Sequence, residues 1–376
     1  MDSKMHLQPW WLLPISLLLQ LSNLKNWANA APQVPCYFIF GDSLSDSGNN
    51  NNLKTLAKVN YRPYGIDFPK GPTGRFSNGR NVQDAIVELL GFEEYMPPFA
   101  KSERKNILQG VNYASGASGI LDETGSLMGA RVPMSIQIRN HETIIARIRK
   151  ILRNDSSTEK LLRQCIYSIQ IGSNDFVNNY FKPNFYNSSH GYSVSEFATM
   201  LVRQFAHQIK DLYKTGARIF ALFGLGQLGC TPNAIATHGT NGSLCVTKLN
   251  DAAFLFNQRL IPLVMALNSK LTDAKFTYLN YSPMKVAQLS LESPCCKTGA
   301  GGNRELCIHY SKPCSNRKQY AFWDGVHPTD ASNVLIAKNL YGTRSFSDAR
   351  PFNIRSLARK SSDDQQRQIW VEVLVN

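Results

Sequence analysis

Beyond residue 30 the chain has no apolar run of the roughly 20 residues that a membrane-spanning helix needs, so no span is expected there. It has no Gly-x-Ser-x-Gly elbow, which argues against the α/β-hydrolase fold. None of its eight cysteines forms a Cys-x-x-Cys pair, the spacing that zinc usually takes. His141-Glu142 opens like a zinc-protease helix, but Ile145 stands where the second ligand should be. There is no recognised nucleic-acid motif, so nucleic acid is not an expected partner. No internal repeat and no linker divides off a second domain. Acidic residues are in the minority, 27 against 41 Lys and Arg, for a net charge of +14. Such an excess favours association with polyanions, such as acidic wall polysaccharide or anionic lipid, and it also serves solubility.

What is present describes an ordinary globular chain, 43% hydrophobic and 18% charged. Residues 1–30 read as a secretory signal peptide. Lys4 precedes the apolar run from Trp10 to Leu19, and Ala28-Asn29-Ala30 offers small residues for cleavage. The expected location is therefore extracellular, in the cell wall or apoplast. An oxidising route favours disulfides. Cys230 can pair with Cys245; Cys295, Cys296, Cys307 and Cys314 allow three connectivities, with a zinc site as the competing reading. Cys36 and Cys165 are either buried thiols or a bridge. Sequons begin at Asn154, Asn187, Asn241 and Asn280, each a candidate for glycosylation.

Short apolar runs predict strands at 34–40, 110–114, 165–171, 218–223 and 275–279. Helices are predicted at about 81–90, 134–152, 193–214 and 246–271. Ser193 and Glu196 form a capping box for the third of these, with Gly216 past its end. The alternation argues a parallel sheet with helical crossovers. The polar stretch from Gly41 to Arg80 reads as an ordered loop and a wall of the site.

Chemistry concentrates in four segments: Gly41-Asp42-Ser43-Leu44, Asn112 to Gly119, Gly172-Ser173-Asn174-Asp175, and Asp324 to Thr329. The first three follow predicted strands, where open α/β sheets place ligands. Ser43 is the candidate nucleophile and needs a base, an orienting acid and oxyanion donors. His327 is the candidate base, and Asp324, three residues before it, can hold its other ring nitrogen. The N–H groups of Ser43 and Gly116 and the amide of Asn174 are candidate oxyanion donors. Gly224-Leu225-Gly226-Gln227-Leu228-Gly229 matches a dinucleotide fingerprint, but it follows the fourth strand and Pro232 interrupts the helix it would need.

This set, together with Phe38-Ile39-Phe40 before Gly41, the Asn-rich Gly48-Asn49-Asn50-Asn51, Gly74 to Arg80, Gly224 to Cys230 and Phe322-Trp323-Asp324, resembles the plant-type GDSL esterase/lipase family of the SGNH hydrolase superfamily. The superfamily's Ser, Gly, Asn and His fall on Ser43, Gly116, Asn174 and His327. The resemblance covers nearly the whole chain after residue 30. It implies a three-layer α/β/α sandwich on a five-stranded parallel sheet, flavodoxin-like in order. It also implies hydrolysis of small-molecule or lipid carboxylic esters through an acyl-enzyme, with no metal and no cofactor. Gln227 replaces a frequent proline, in a loop expected to lie away from the chemistry. Residues 360–376 extend past the family's usual end, so the expected division is a signal peptide (1–30), a hydrolase domain (31–359) and a C-terminal extension. Alternatives are an acyltransferase or polysaccharide deacetylase of the same fold, or a catalytically silent wall-binding protein.

Overall fold

The computed structural model describes residues 31–103, 107–281, 289–291, 293–299 and 305–359. The expected signal peptide and the C-terminal extension lie outside the described residues. The elements run β1 (Tyr37–Gly41), α1 (Val82–Leu89), α2 (Met134–Leu152), α3 (Asp155–Gln164), β2 (Ile166–Gln170), α4 (Val194–Lys214), β3 (Ile219–Phe223), α5 (Pro232–His238), α6 (Thr247–Lys270), β4 (Lys275–Leu279), α7 (Asp330–Gly342) and β5 (Ala349–Arg350).

Strands β1 to β4 pair in sequence order and parallel, and β5 adds a two-residue antiparallel edge beside β4. Every residue of β1, β2 and β3 is buried, as expected for a parallel sheet covered on both faces. Register and alternation split each strand between two cores. Phe38, Tyr167, Phe220 and Phe276 are opposite one another across four strands, with neighbouring ring centroids 5.3, 5.6 and 4.6 Å apart. This aromatic row packs with the apolar faces of α2, α4 and α6. The alternate residues Tyr37, Ile39, Ile219, Ala221 and Leu279 pack with α1, α7 and a last helical segment at 354–359. The result is the α/β/α sandwich.

The sheet differs in detail from expectation. Segment 110–114 runs parallel to β1, but its only bridge to β1 joins Asn112 and Ile39. The N–H of Ile39 donates to Val111 and that of Tyr113 to Ile39, at 3.0 and 2.7 Å. Its other side pairs with Pro98, whose lack of an N–H keeps the contact local. The fifth strand of the sheet is therefore β5, antiparallel to β4. Helices α1, α2, α4 and α6 lie within the predicted ranges. Asn81 and Ser193 each complete a capping box, and Gly216 past α4 takes the left-handed φ of 109°. Pro232 starts α5 rather than breaking a helix; its missing N–H is harmless at a first helical position.

All eight cysteines are paired: Cys36–Cys165, Cys230–Cys245, Cys295–Cys314 and Cys296–Cys307. The first joins the starts of β1 and β2. The last two lie in a separate small core with Tyr64, Phe76, Ala117 and Trp323. This resolves the cluster in favour of disulfides over zinc.

Candidate active site

Gly41 ends β1 where a Cβ would strike the Gln170 carbonyl of β2, so the chain can turn there only without a side chain. The carbonyl of Asp42 then accepts the N–H groups of Ser45 and Asp46 at 3.1 and 3.0 Å, closing a tight turn. Asn81 Nδ2 donates to the Ser45 and Asp46 carbonyls, and Asn112 Nδ2 also donates to Ser45. Gln137 of α2 brackets Gly41, accepting from its N–H at 2.9 Å and donating to its carbonyl at 2.8 Å. Ser43 is left partly exposed on a turn fixed from three sides.

The final segment reaches it from the far end of the chain. Trp323 N–H donates to the His327 carbonyl at 2.7 Å, making the 322–328 loop tight. His327 Nε2 lies 2.8 Å from Ser43 Oγ. Its Nδ1 lies 2.9 Å from both oxygens of Asp324. Asp324 is fully buried; its Oδ1 also accepts from the N–H groups of Val326 and His327, and its Oδ2 from Tyr64 Oη at 2.6 Å. Burial works against a charged His327, but the charge and hydrogen bond of Asp324, with the charges of Glu305 and Asp42, hold its pKa above the ordinary 6.5.

The loop from Gly74 to Arg80 secures this arrangement. Arg80 pairs with Asp330, three residues past His327, through Nε and a terminal nitrogen at 2.8 and 2.9 Å. Asn78 Oδ1 accepts the Asp330 N–H. Arg75 pairs with Asp84 in the same forked way, both side chains buried. Phe76 packs its ring 4.8 Å from that of His327.

The remaining segments converge on the same place. Asn174 Oδ1 accepts from Asn178 at 2.7 Å and its Nδ2 donates to the Ser118 carbonyl at 3.0 Å, so the amide orientation is fixed. Its second Nδ2 hydrogen remains for the cleft, which Asn174 lines with Ser43 and His327. The Ser43 N–H has no acceptor among the described residues. Gly116 is held tightly enough that a Cβ would lie 2.7 Å from the Phe76 ring, and its N–H donates to Asp46 Oδ2 at 3.1 Å. Any oxyanion would share that donor with Asp46. Asp175 holds the 120–124 loop, accepting from Ile120, Leu121 and Thr124.

The cleft encloses about 430 Å³. Apolar side chains such as Leu44, Phe76, Met128 and Phe181 line it beside Glu305, Lys182 and Asn233. Gln227 lies in its wall, which corrects the expectation that this loop stands apart. The Gly224–Gly229 segment serves the same wall: Gly226, Gln227 and Leu228 line the cleft, and a short turn at Leu228–Cys230 follows. His141 is a core residue. Its Nδ1 lies 2.9 Å from Tyr113 Oη, its ring packs edge-on against Phe38 and Tyr167, and burial lowers its pKa to about 3.

Sequence reasoning did not find Tyr64, Gln137, Asn81 or Glu305 as parts of the site. Tyr64, Gln137 and Asn81 act on a carboxylate or backbone groups far away in sequence, and Glu305 acts through its charge on His327; none leaves a periodic mark. The Asn-rich stretch did carry a signal. Asn49 Nδ2 donates to the carbonyls of Asn112 and Ala114, and Asn50 Nδ2 to those of Ala57 and Gly116.

A serine, a histidine and an aspartate in one hydrogen-bonded chain beside an α/β/α sheet is the build of a hydrolase. The sequence profile of the family described as GDSL-like lipase/acylhydrolase matches residues 37–340, and the chain belongs to that family. It is 44% identical over 363 residues to a GDSL esterase/lipase of Arabidopsis thaliana, covering 94% of this chain and 99% of that one. A second Arabidopsis thaliana GDSL esterase/lipase is 43% identical over 355 residues, covering 92% and 98%. Among solved structures, an extracellular lipase from Streptomyces rimosus aligns over 81% of this chain and 98% of its own at 12% identity, with a TM-score of 0.34. The protein is accordingly a carboxylic ester hydrolase.

Proposed function

We propose that the protein is a secreted serine esterase working through an acyl-enzyme. Ser43 Oγ attacks the ester carbonyl while His327 Nε2 takes its proton. Asp324 holds the imidazole in the tautomer that leaves Nε2 free to accept. The oxyanion is received by the Ser43 N–H and the Asn174 amide, with the Gly116 N–H shared with Asp46. His327 returns the proton to the leaving alcohol, and water then releases the acyl group by the same route. The observation that carries this reading is the pair of contacts on His327, 2.8 Å to Ser43 and 2.9 Å to Asp324.

The division into a signal peptide (1–30), a hydrolase domain (31–359) and an extension (360–376) belongs to the same proposal. Four disulfides support passage through an oxidising compartment. No helix among the described residues is long and apolar enough to cross a membrane. Asn154, Asn187 and Asn241 are exposed and suit glycan attachment. Asn154 caps α3 through its Oδ1, which leaves Nδ2 for a sugar. Asn280 is half-buried and donates Nδ2 to Ser347, so it is the weakest of the four. A polyanionic partner has only the overall charge behind it and forms no part of this reading.

The test compares the wild type with Ser43→Ala on nitrophenyl acetate, butyrate and a long-chain ester. The expected result is a loss of about a thousandfold or more in kcat with an unchanged melting temperature. Comparable turnover by the variant would remove Ser43 from the reaction.

A further inference from the structure

Tyr64 lies in the loop between the nucleophile and α1, is fully buried, and touches no part of the cleft surface. Its Oη donates to Asp324 Oδ2 at 2.6 Å and accepts the Cys307 N–H at 3.0 Å. Burial and the charge of Asp324 hold its phenol far above the ordinary range, so it is a permanent neutral donor. Cys307 is tied to Cys296, and the Cys295 and Cys296 N–H groups donate to the Phe322 and Trp323 carbonyls at 3.0 and 2.8 Å. The phenol ring stands edge-on to Tyr61 and Trp323, with centroids 5.3 and 6.5 Å away.

The two oxygens of Asp324 are satisfied unequally. Oδ1 has two backbone donors from its own loop besides the imidazole. Oδ2 has Tyr64 besides the imidazole. A buried carboxylate oxygen with an unmet lone pair is costly, and it would draw harder on its remaining partner.

We infer that Tyr64 is a positioning residue of the catalytic chain, fixing the Asp324 carboxylate against His327 and setting how strongly that carboxylate holds the imidazolium. The inference rests on the serine-esterase reading above. The stapled loop is part of the device: the Cys307 N–H orients the phenol so that its proton points at Asp324.

The direction of its effect follows from charge. A donated hydrogen bond spreads the carboxylate's charge and weakens its grip on the imidazolium. Without it, His327 holds its proton to higher pH. The charged and titratable groups facing His327 are Asp324, Glu305 and Asp42; those facing Tyr64 are Asp324 and Tyr61. None of these is altered by Tyr64→Phe.

The experiment measures kcat and kcat/KM against pH for the wild type, Ser43→Ala and Tyr64→Phe on nitrophenyl butyrate. Tyr64→Phe is expected to lower kcat roughly tenfold, leave KM within about twofold, and move the acid limb of kcat/KM upward by about half a unit. Replacing Tyr64 with 3-fluorotyrosine, a stronger donor, keeps the ring and is expected to move the limb downward. The His327 Nδ1–H proton resonance, read by NMR without substrate, is expected to shift in both proteins. Superimposed pH profiles with an unshifted resonance would overturn the role of Tyr64 and leave the triad intact. Full activity in Ser43→Ala would instead overturn the triad.

Discussion

His327 is pulled in two directions. Burial favours the neutral ring; Asp324, with Glu305 and Asp42, favours the charged one and prevails. A general base must be neutral, so kcat/KM should rise with pH through an apparent pKa above the ordinary histidine value near ~6.5. Asp324→Asn removes the main charge, so the limb should move to lower pH. The rate should still fall by about a thousandfold or more, because the amide can hold the wrong tautomer. A pH–rate profile of both proteins checks both statements together. Asp42 adjoins Ser43, with Oδ1 accepting from the Leu44 N–H and Oδ2 unpartnered among the described residues. Burial raises its pKa to about 7, which lets the carboxyl stay partly neutral there. Ser43, Asn174 and His327 could be placed in the sequence because each sits in a short motif with chemical meaning. Tyr64 could not, since a tyrosine in a Gly- and Pro-rich loop carries no sign of the carboxylate 260 residues away that it serves.

The elements that hold the site do more than fill the core. Asn81 caps α1 through Asp84 and at the same time donates to the Ser45 and Asp46 carbonyls. Asn81→Ala is expected to cost about 1–2 kcal/mol, a lost cap plus unmet carbonyls, measured as a shift in the urea midpoint. It should also lower kcat, because the nucleophile turn loses one of its anchors. The four parallel strands were legible because strands covered on both faces are mostly apolar and aromatic, with few polar residues such as Ser168 and Thr277 among them. Helix α3 was not, since only Thr158 and Leu162 are buried along its polar ten residues. Helix α7 was not, because polar Ser332 and Asn333 share its buried face with Ile336, Ala337 and Leu340 and blur the apolar stripe. Segment 110–114 has the composition of a strand, but its neighbours give it only single-residue bridges.

Across the whole molecule, buried titratable groups set the response to pH. Burial raises Asp42 to about 7 and both Asp46 and Asp175 to about 6, against 3.8 for an exposed aspartate. Between those limits the folded chain binds more protons than the unfolded one, so these groups favour folding at low pH and lose that contribution as pH rises. His327, raised above 6.5, acts in the same direction at higher pH. His141, lowered to about 3, and the less buried His238, also lowered, act oppositely below 6.5, against the three aspartates and Glu305, which burial also raises. The melting temperature should therefore be higher at about pH 5 than at about pH 7.5, as calorimetry can check. The Cys36–Cys165 bridge closes a separation of 129 residues between the first two strands, and replacing both cysteines with alanine should cost about 2–5 kcal/mol. Acylation of Ser43 is the step on which the proposed mechanism turns. Treating the protein with a fluorophosphonate ester and sequencing the labelled peptide by mass spectrometry tests it most directly. The expected result is one adduct per chain, on Ser43, forming in step with loss of esterase activity and absent in His327→Ala. An adduct elsewhere, or full activity in the Ser43-labelled protein, would contradict it.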